Sequence, residues 1–141
     1  HLADPALAAR LLGMGADGLL RGREAGPSEF RDGTLAGRLF ESLVTLSVRV
    51  YAQAVGARVG HFRTRNGDHE IDLILERDDG RVLAVEVKLS AVVGDDDVRH
   101  LAWLREQLGD DLLGAIVVTA GRYAYRRKDG IGVVPAGMLG P

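Results

Sequence analysis

Two short segments of the chain place charge inside runs that are otherwise β-branched and aliphatic: His69-Glu70-Ile71-Asp72-Leu73-Ile74-Leu75 and Val82-Leu83-Ala84-Val85-Glu86-Val87-Lys88. Runs of that composition form buried strands. A lone carboxylate buried in such a strand costs roughly several kcal/mol unless a cation or hydrogen bonds compensate. Asp72, Glu86 and Lys88 therefore imply a metal ion, a salt-bridged cluster, or both.

How the charges meet depends on the turn between the strands. Side chains alternate along a strand, so Glu70, Asp72 and Ile74 are expected on one face, and Ala84, Glu86 and Lys88 on one face of the next strand. A three-residue loop Asp78-Asp79-Gly80, with the glycine in a left-handed bulge position, pairs Arg77 with Arg81. That register sets Asp72 opposite Glu86 and Glu70 opposite Lys88, with all four on one face. A two-residue Asp79-Gly80 turn instead leaves Asp72 among aliphatic side chains, so the three-residue loop is expected. Opposed carboxylates with Cβ atoms about 5 Å apart repel unless a cation lies between them. Hard oxygen donors of this kind suit Mg²⁺ (or Mn²⁺), which keeps several waters; a water held beside Lys88 is placed to attack a phosphodiester.

The elements needed to hold this hairpin are legible around it. Asp4 before Pro5 starts a short helix over 6–12, and the glycine-rich stretch 13–33 reads as a loop with a brief helical turn at 16–21. Leu35, Leu39, Leu43, Leu46 and Val50 recur at helical spacing from the candidate cap Thr34 to the stop at Gly56. Phe40, Val44, Val48 and Tyr51 widen that stripe, which predicts a helix wedged between a sheet and another element, with Glu41 at its margin. Residues 58–64 read as a strand followed by an Asn66-Gly67 turn. Asp95-Asp96-Asp97 opens a second long helix with Val98, Leu101, Leu104 and Leu108 inward. Ala115 to Thr119 is a strand covered on both faces, and an Asp129-Gly130 turn joins a small terminal hairpin. The order predicts a mixed α/β sandwich.

Composition narrows the function classes. A length of 141 residues suffices for one core, and a net charge of -2 argues against a surface that is basic throughout. Only Lys88 and Lys128 are lysines, and neither follows the glycines of a Walker motif, so this chain is not expected to bind ATP. With no cysteine, disulfides, thiolate metal sites and cysteine nucleophiles are excluded. No segment is long and apolar enough to span a bilayer and no signal pattern opens the chain, so a cytoplasmic location without a membrane partner is expected. His61, His69 and His100 are dispersed, Trp103 reads as core or interface, and Arg122-Tyr123-Ala124-Tyr125-Arg126-Arg127-Lys128 interleaves aromatics with cations.

Asp72 followed by Glu86-Val87-Lys88, with Glu41 on a preceding helix, resembles the PD-(D/E)xK nuclease signature. More narrowly, Gly37-Arg38-Leu39-Phe40-Glu41, Phe62-Arg63-Thr64, Glu70-Ile71-Asp72 and Val85-Glu86-Val87-Lys88 look like the nuclease-like domain at the C-terminus of many prokaryotic AAA+ ATPases. The likeness spans nearly the whole chain, and the opening at Leu2-Ala3-Asp4-Pro5 is similar to the entry into that domain. The resemblance implies a restriction-endonuclease-like mixed sheet flanked by helices over 34–141, with residues 1–33 joining it to an upstream ATPase domain of the same polypeptide. It also implies Asp72 and Glu86 as metal ligands, Glu41 as a further ligand, and Lys88 as the water-orienting residue. Ile71 stands where the family name has proline, a position that varies. Arg63 and Arg65 flank the site and are candidates for holding DNA phosphates. The implied activity is DNA phosphodiester hydrolysis; the alternative is an inactive module that binds nucleic acid or protein and regulates the ATPase.

Overall fold

The computed structural model of the protein describes residues 4–11 and 35–140. Helix α1 (Pro5–Leu11) is capped by Asp4, whose Oδ1 accepts the backbone N–H of Ala6 at 2.8 Å. The expected loop over 13–33, its helical turn and the cap Thr34 lie outside the described residues. Helix α2 (Leu35–Ala54) follows and stops at Gly56, which takes φ +69°.

Six strands form one mixed sheet: β1 (Arg58–Arg63), β2 (Glu70–Glu76), β3 (Val82–Lys88), β4 (Leu112–Thr119), β5 (Tyr125–Arg126) and β6 (Gly132–Pro135). Their order across the sheet is β1-β2-β3-β4-β6-β5. Between β3 and β4 the chain makes a 3₁₀ turn (Asp96–Val98) and helix α3 (Arg99–Leu108). β1, β2 and β3 are antiparallel neighbours, whereas β3, β4 and β6 run parallel. The expected terminal hairpin is thus more than a hairpin: β6 enters the main sheet beside β4 and leaves β5 at the edge. This is an α/β fold with helices on both faces.

One face packs under α3. Ala84, Ala115, Val117 and Val133 meet Val98, Leu101 and Leu104, the inner stripe expected of that helix. The other face packs under α2, where Leu73, Val85, Val87 and Val118 meet Val44 and Val48. α2 is rotated relative to the sequence reading: Phe40, Val44 and Val48 face the sheet, while Leu43, Leu46 and Val50 are exposed. The sheet, covered on both faces, needs only the narrower β-branched stripe. None of the described helices is long and apolar enough to cross a membrane.

Candidate functional site

The β2–β3 turn closes as the loop length requires. The Arg77 N–H donates to the Arg81 carbonyl at 3.0 Å, the Gly80 N–H to the Arg77 carbonyl at 3.0 Å, and Gly80 takes φ +82°. The ladder then runs Glu76↔Val82, Leu75↔Leu83, Ile74↔Ala84 and Leu73↔Val85, a register whose next step sets Asp72 against Glu86. At that step the backbone ladder gives way. The Val87 N–H donates instead to Asp72 Oδ2 at 2.8 Å, so a side chain closes the gap between two central strands.

The cause is an extra residue in β2. Against β1, Gly60 pairs with Ile74 and Phe62 with Ile71, so Asp72 and Leu73 together oppose the single residue His61. Such a bulge re-aims the side chains on either side of it. Ile71 consequently joins the α3-side core, although Leu73, two residues on, joins the α2-side core. The expectation that Glu70, Asp72, Glu86 and Lys88 all share one face is corrected here. Glu70 turns back toward Arg63, its partner on β1, with their charged atoms 3.9 Å apart.

Glu86 is the anomaly of the sheet. It is 5% exposed, and its Oε1 is buried without a hydrogen-bond partner. Burial, then the charge of Asp72 and hydrogen bonding with it, push the Glu86 carboxyl up to about 9, against a smaller opposing pull from Lys88. At neutral pH it is therefore protonated. A buried carboxyl with an orphaned oxygen, opposed by a second carboxylate whose position is fixed by a backbone N–H, is a donor set that fits a hard divalent cation. Asp72 and Glu86 supply two oxygens, the number Mg²⁺ commonly takes from protein. Among the described residues no group of three or more His, Asp or Glu side chains is placed to hold a metal ion. Glu41 is exposed on α2, the helix covering the face opposite α3, and Lys88 is half-buried at the end of β3.

Asp72, Glu86 and Lys88 lie at one end of the sheet, where the parallel strands β3, β4 and β6 finish and where sites form in open α/β sheets. Arg63 ends β1 and Arg65 stands in the following turn; both are exposed. The fold also gathers two residues that looked dispersed. His69 Nδ1 lies 3.2 Å from His100 Nδ1, and the His69 ring stacks on Trp103 with centroids 4.0 Å apart and planes 8° from parallel. Arg99 Nε donates to His100 Nε2 at 3.1 Å. Guanidinium only donates, so His100 Nε2 accepts, its Nδ1 carries the proton, and His69 Nδ1 receives it. Both rings are neutral in this arrangement. The spacing of His100 and Trp103, one helical turn apart, was the only trace of the cluster in the sequence.

No curated protein and no solved structure matches the chain. A protein-family model described as Domain of unknown function (DUF4143) matches residues 36–139, from the start of α2 through β6. The bulged hairpin and the carboxylate pair thus fall inside the matched region, and the chain belongs to the DUF4143 family.

Proposed function

We propose that this domain is a metal-dependent phosphodiester hydrolase of the PD-(D/E)xK kind, acting on DNA and working as the C-terminal part of an AAA+ ATPase. The observation that carries the reading is Glu86: a protein that needed only a stable sheet has no reason to keep an unsatisfied carboxyl oxygen buried opposite Asp72. Asp72 and Glu86 would hold Mg²⁺ or Mn²⁺. When bound, the ion would lower the pKa of a coordinated water and offset the charge developing on the phosphate. Asp72 is held ready by the Val87 N–H, so its carboxylate needs little reorganisation to ligate. Glu86 would release its proton to solvent where an ion took its place. Lys88 supplies a fixed positive charge on the face that carries Glu86, and Arg63 and Arg65 offer guanidinium groups to the flanking phosphates.

Calorimetric titration of Mn²⁺ or Mg²⁺ into the wild type and an Asp72→Ala/Glu86→Ala variant, with a plasmid-nicking assay on the same samples, tests this. Binding and nicking that both vanish in the variant support the reading; a wild type that binds no ion refutes it. The second reading is a non-catalytic module that regulates the ATPase through nucleic acid or protein contacts. It is favoured by the two-carboxylate site, to which no third ligand is added among the described residues.

A further inference from the structure

The edge strand β5 carries a combination of side chains that the fold itself does not use. Tyr123 is 79% exposed and Tyr125 46% exposed. Their phenol rings contribute little to either core, and an edge strand with solvent-facing aromatics and no packing role invites a partner. Charge around them is one-sided. The single carboxylate of residues 122–130, Asp129, pairs with Arg127 at 3.0 Å, and Arg127 also takes Asp95 at 2.6 Å. Arg122, Arg126 and Lys128 remain, all exposed, with no ion pair to another described residue; Arg126 is steadied by a 3.1 Å bond from Nη1 to the Gly130 carbonyl. In a chain of net charge -2, this is a local excess of cations interleaved with aromatic rings.

Register relates this edge to the carboxylates. Glu86 pairs with Val117, Val117 with Val133, and Val133 with Tyr125. Directly paired residues point to the same face, so Tyr125 stands in the same cross-sheet row and on the same face as Glu86, three strands away. At strand spacings near 4.8 Å that is about 14 Å. Tyr123 and Arg122 precede β5 and so lie toward the end of the sheet where β3 finishes at Lys88.

The geometry points to Tyr123 and Tyr125, with Arg122, Arg126 and Lys128 along the same exposed edge, as a binding surface for single-stranded nucleic acid, which stacks unpaired bases on the tyrosines and leads past Tyr123 toward the end of the sheet where Lys88 stands. Every base offers a π-face, so stacking is indifferent to sequence, and the cations meet the phosphates. A duplex keeps its bases inside the stack and is held through its phosphates alone. This deepens the proposed hydrolase activity by naming the form of its substrate, and in that respect rests on it.

Fluorescence anisotropy in EDTA, with the 141-residue chain and labelled oligo(dT) or a duplex of equal length, isolates binding from cleavage. The wild type is expected to prefer the single strand. Tyr123→Ala and Tyr125→Ala should each weaken it roughly 5- to 100-fold, whereas Tyr→Phe at the same positions should retain binding. Arg122→Gln/Lys128→Gln should flatten the slope of log affinity against log salt by about 1.4, at roughly 0.7 for each phosphate no longer neutralised. Unchanged affinity in the alanine variants, or equal affinity for duplex and single strand, overturns the inference. Cleavage of the same strands, followed after adding Mn²⁺, separates this from the parent reading. Cleavage that survives both alanine substitutions sinks the surface alone, and tyrosine-dependent binding without any cleavage sinks the hydrolase alone.

Discussion

Replacing Glu86 by glutamine should make the metal-free protein more stable, the reverse of the usual effect of altering a buried residue. The Glu86 carboxyl titrates near pH 9 in the folded chain against 4.5 for the ordinary side chain. Below pH 4.5 both states are protonated and the residue contributes no pH dependence. Between 4.5 and about 9 the unfolded chain has released a proton that the folded chain still holds, so stability falls as pH rises, by about 1.4 kcal/mol per pH unit. The accumulated loss is on the order of 3 kcal/mol at pH 7 and roughly 6 kcal/mol at pH 9. Glutamine cannot ionise, yet its amide can still donate to Asp72. For a chain of this size, ~3 kcal/mol corresponds to a rise in Tm of roughly 6–12 °C at pH 7. Thermal unfolding of wild type and Glu86→Gln in EDTA from pH 4 to pH 9 measures it, with the two curves converging at the acid end. Added Mn²⁺ should raise the wild-type Tm and leave the variant nearly unmoved. A variant less stable than the wild type at pH 8, or parallel curves across the range, would refute the argument.

Two further outcomes follow from the same end of the sheet. Asp72→Ala should cost about 1–3 kcal/mol in chemical denaturation, because it strands the Val87 N–H, whereas Asp72→Asn keeps an acceptor and should recover most of that loss while still abolishing ion binding. Burial, then Arg99, His69 and Lys88, hold the His100 ring below its ordinary value, against a weaker pull from Glu70. Stability tied to His100 is therefore full above pH 6.5 and lost as pH falls through the lowered folded value. A proton added to either ring must break the Nδ1 contact or the Arg99 contact, so Trp103, the only tryptophan, should change its emission as the stacked His69 shifts. An emission change that titrates identically in wild type and His100→Gln would remove the neutral pair.

Much of this site was legible because one turn decided it. Asp78-Asp79-Gly80 offers glycine where a left-handed residue is needed, and the loop length then fixes which residues oppose each other. Asp72 against Glu86 followed from that alone. The bulge at Asp72 was not legible: nothing in Glu70-Ile71-Asp72-Leu73 marks an extra residue, because the bulge arises from pairing with β1 and carries no glycine. Its consequence, Glu70 turned toward Arg63, was hidden with it. The rotation of α2 was hidden for a similar reason. Leucines at 35, 39, 43 and 46 outweigh Val44 and Val48 in hydrophobicity, yet the sheet takes the valines. The meeting of His69 with His100 depends on where α3 docks, which only the assembled fold decides.

The insertion of β6 beside β4 has a consequence for how the domain is made. β4 has Val117 and Val118 fully buried, one on each face, and its two parallel neighbours are β3, synthesised before it, and β6, synthesised after it. Parallel pairing of strands distant along the chain forms slowly. At translation rates of about 5–20 residues per second, β4 would wait for residues 132–135 with one hydrogen-bonding edge open. During that interval the apolar run Ala115-Ile116-Val117-Val118 is exposed to any other nascent strand or holding chaperone. Production of the domain should accordingly be more sensitive to damage in β6, near the end of the matched region, than its small size suggests.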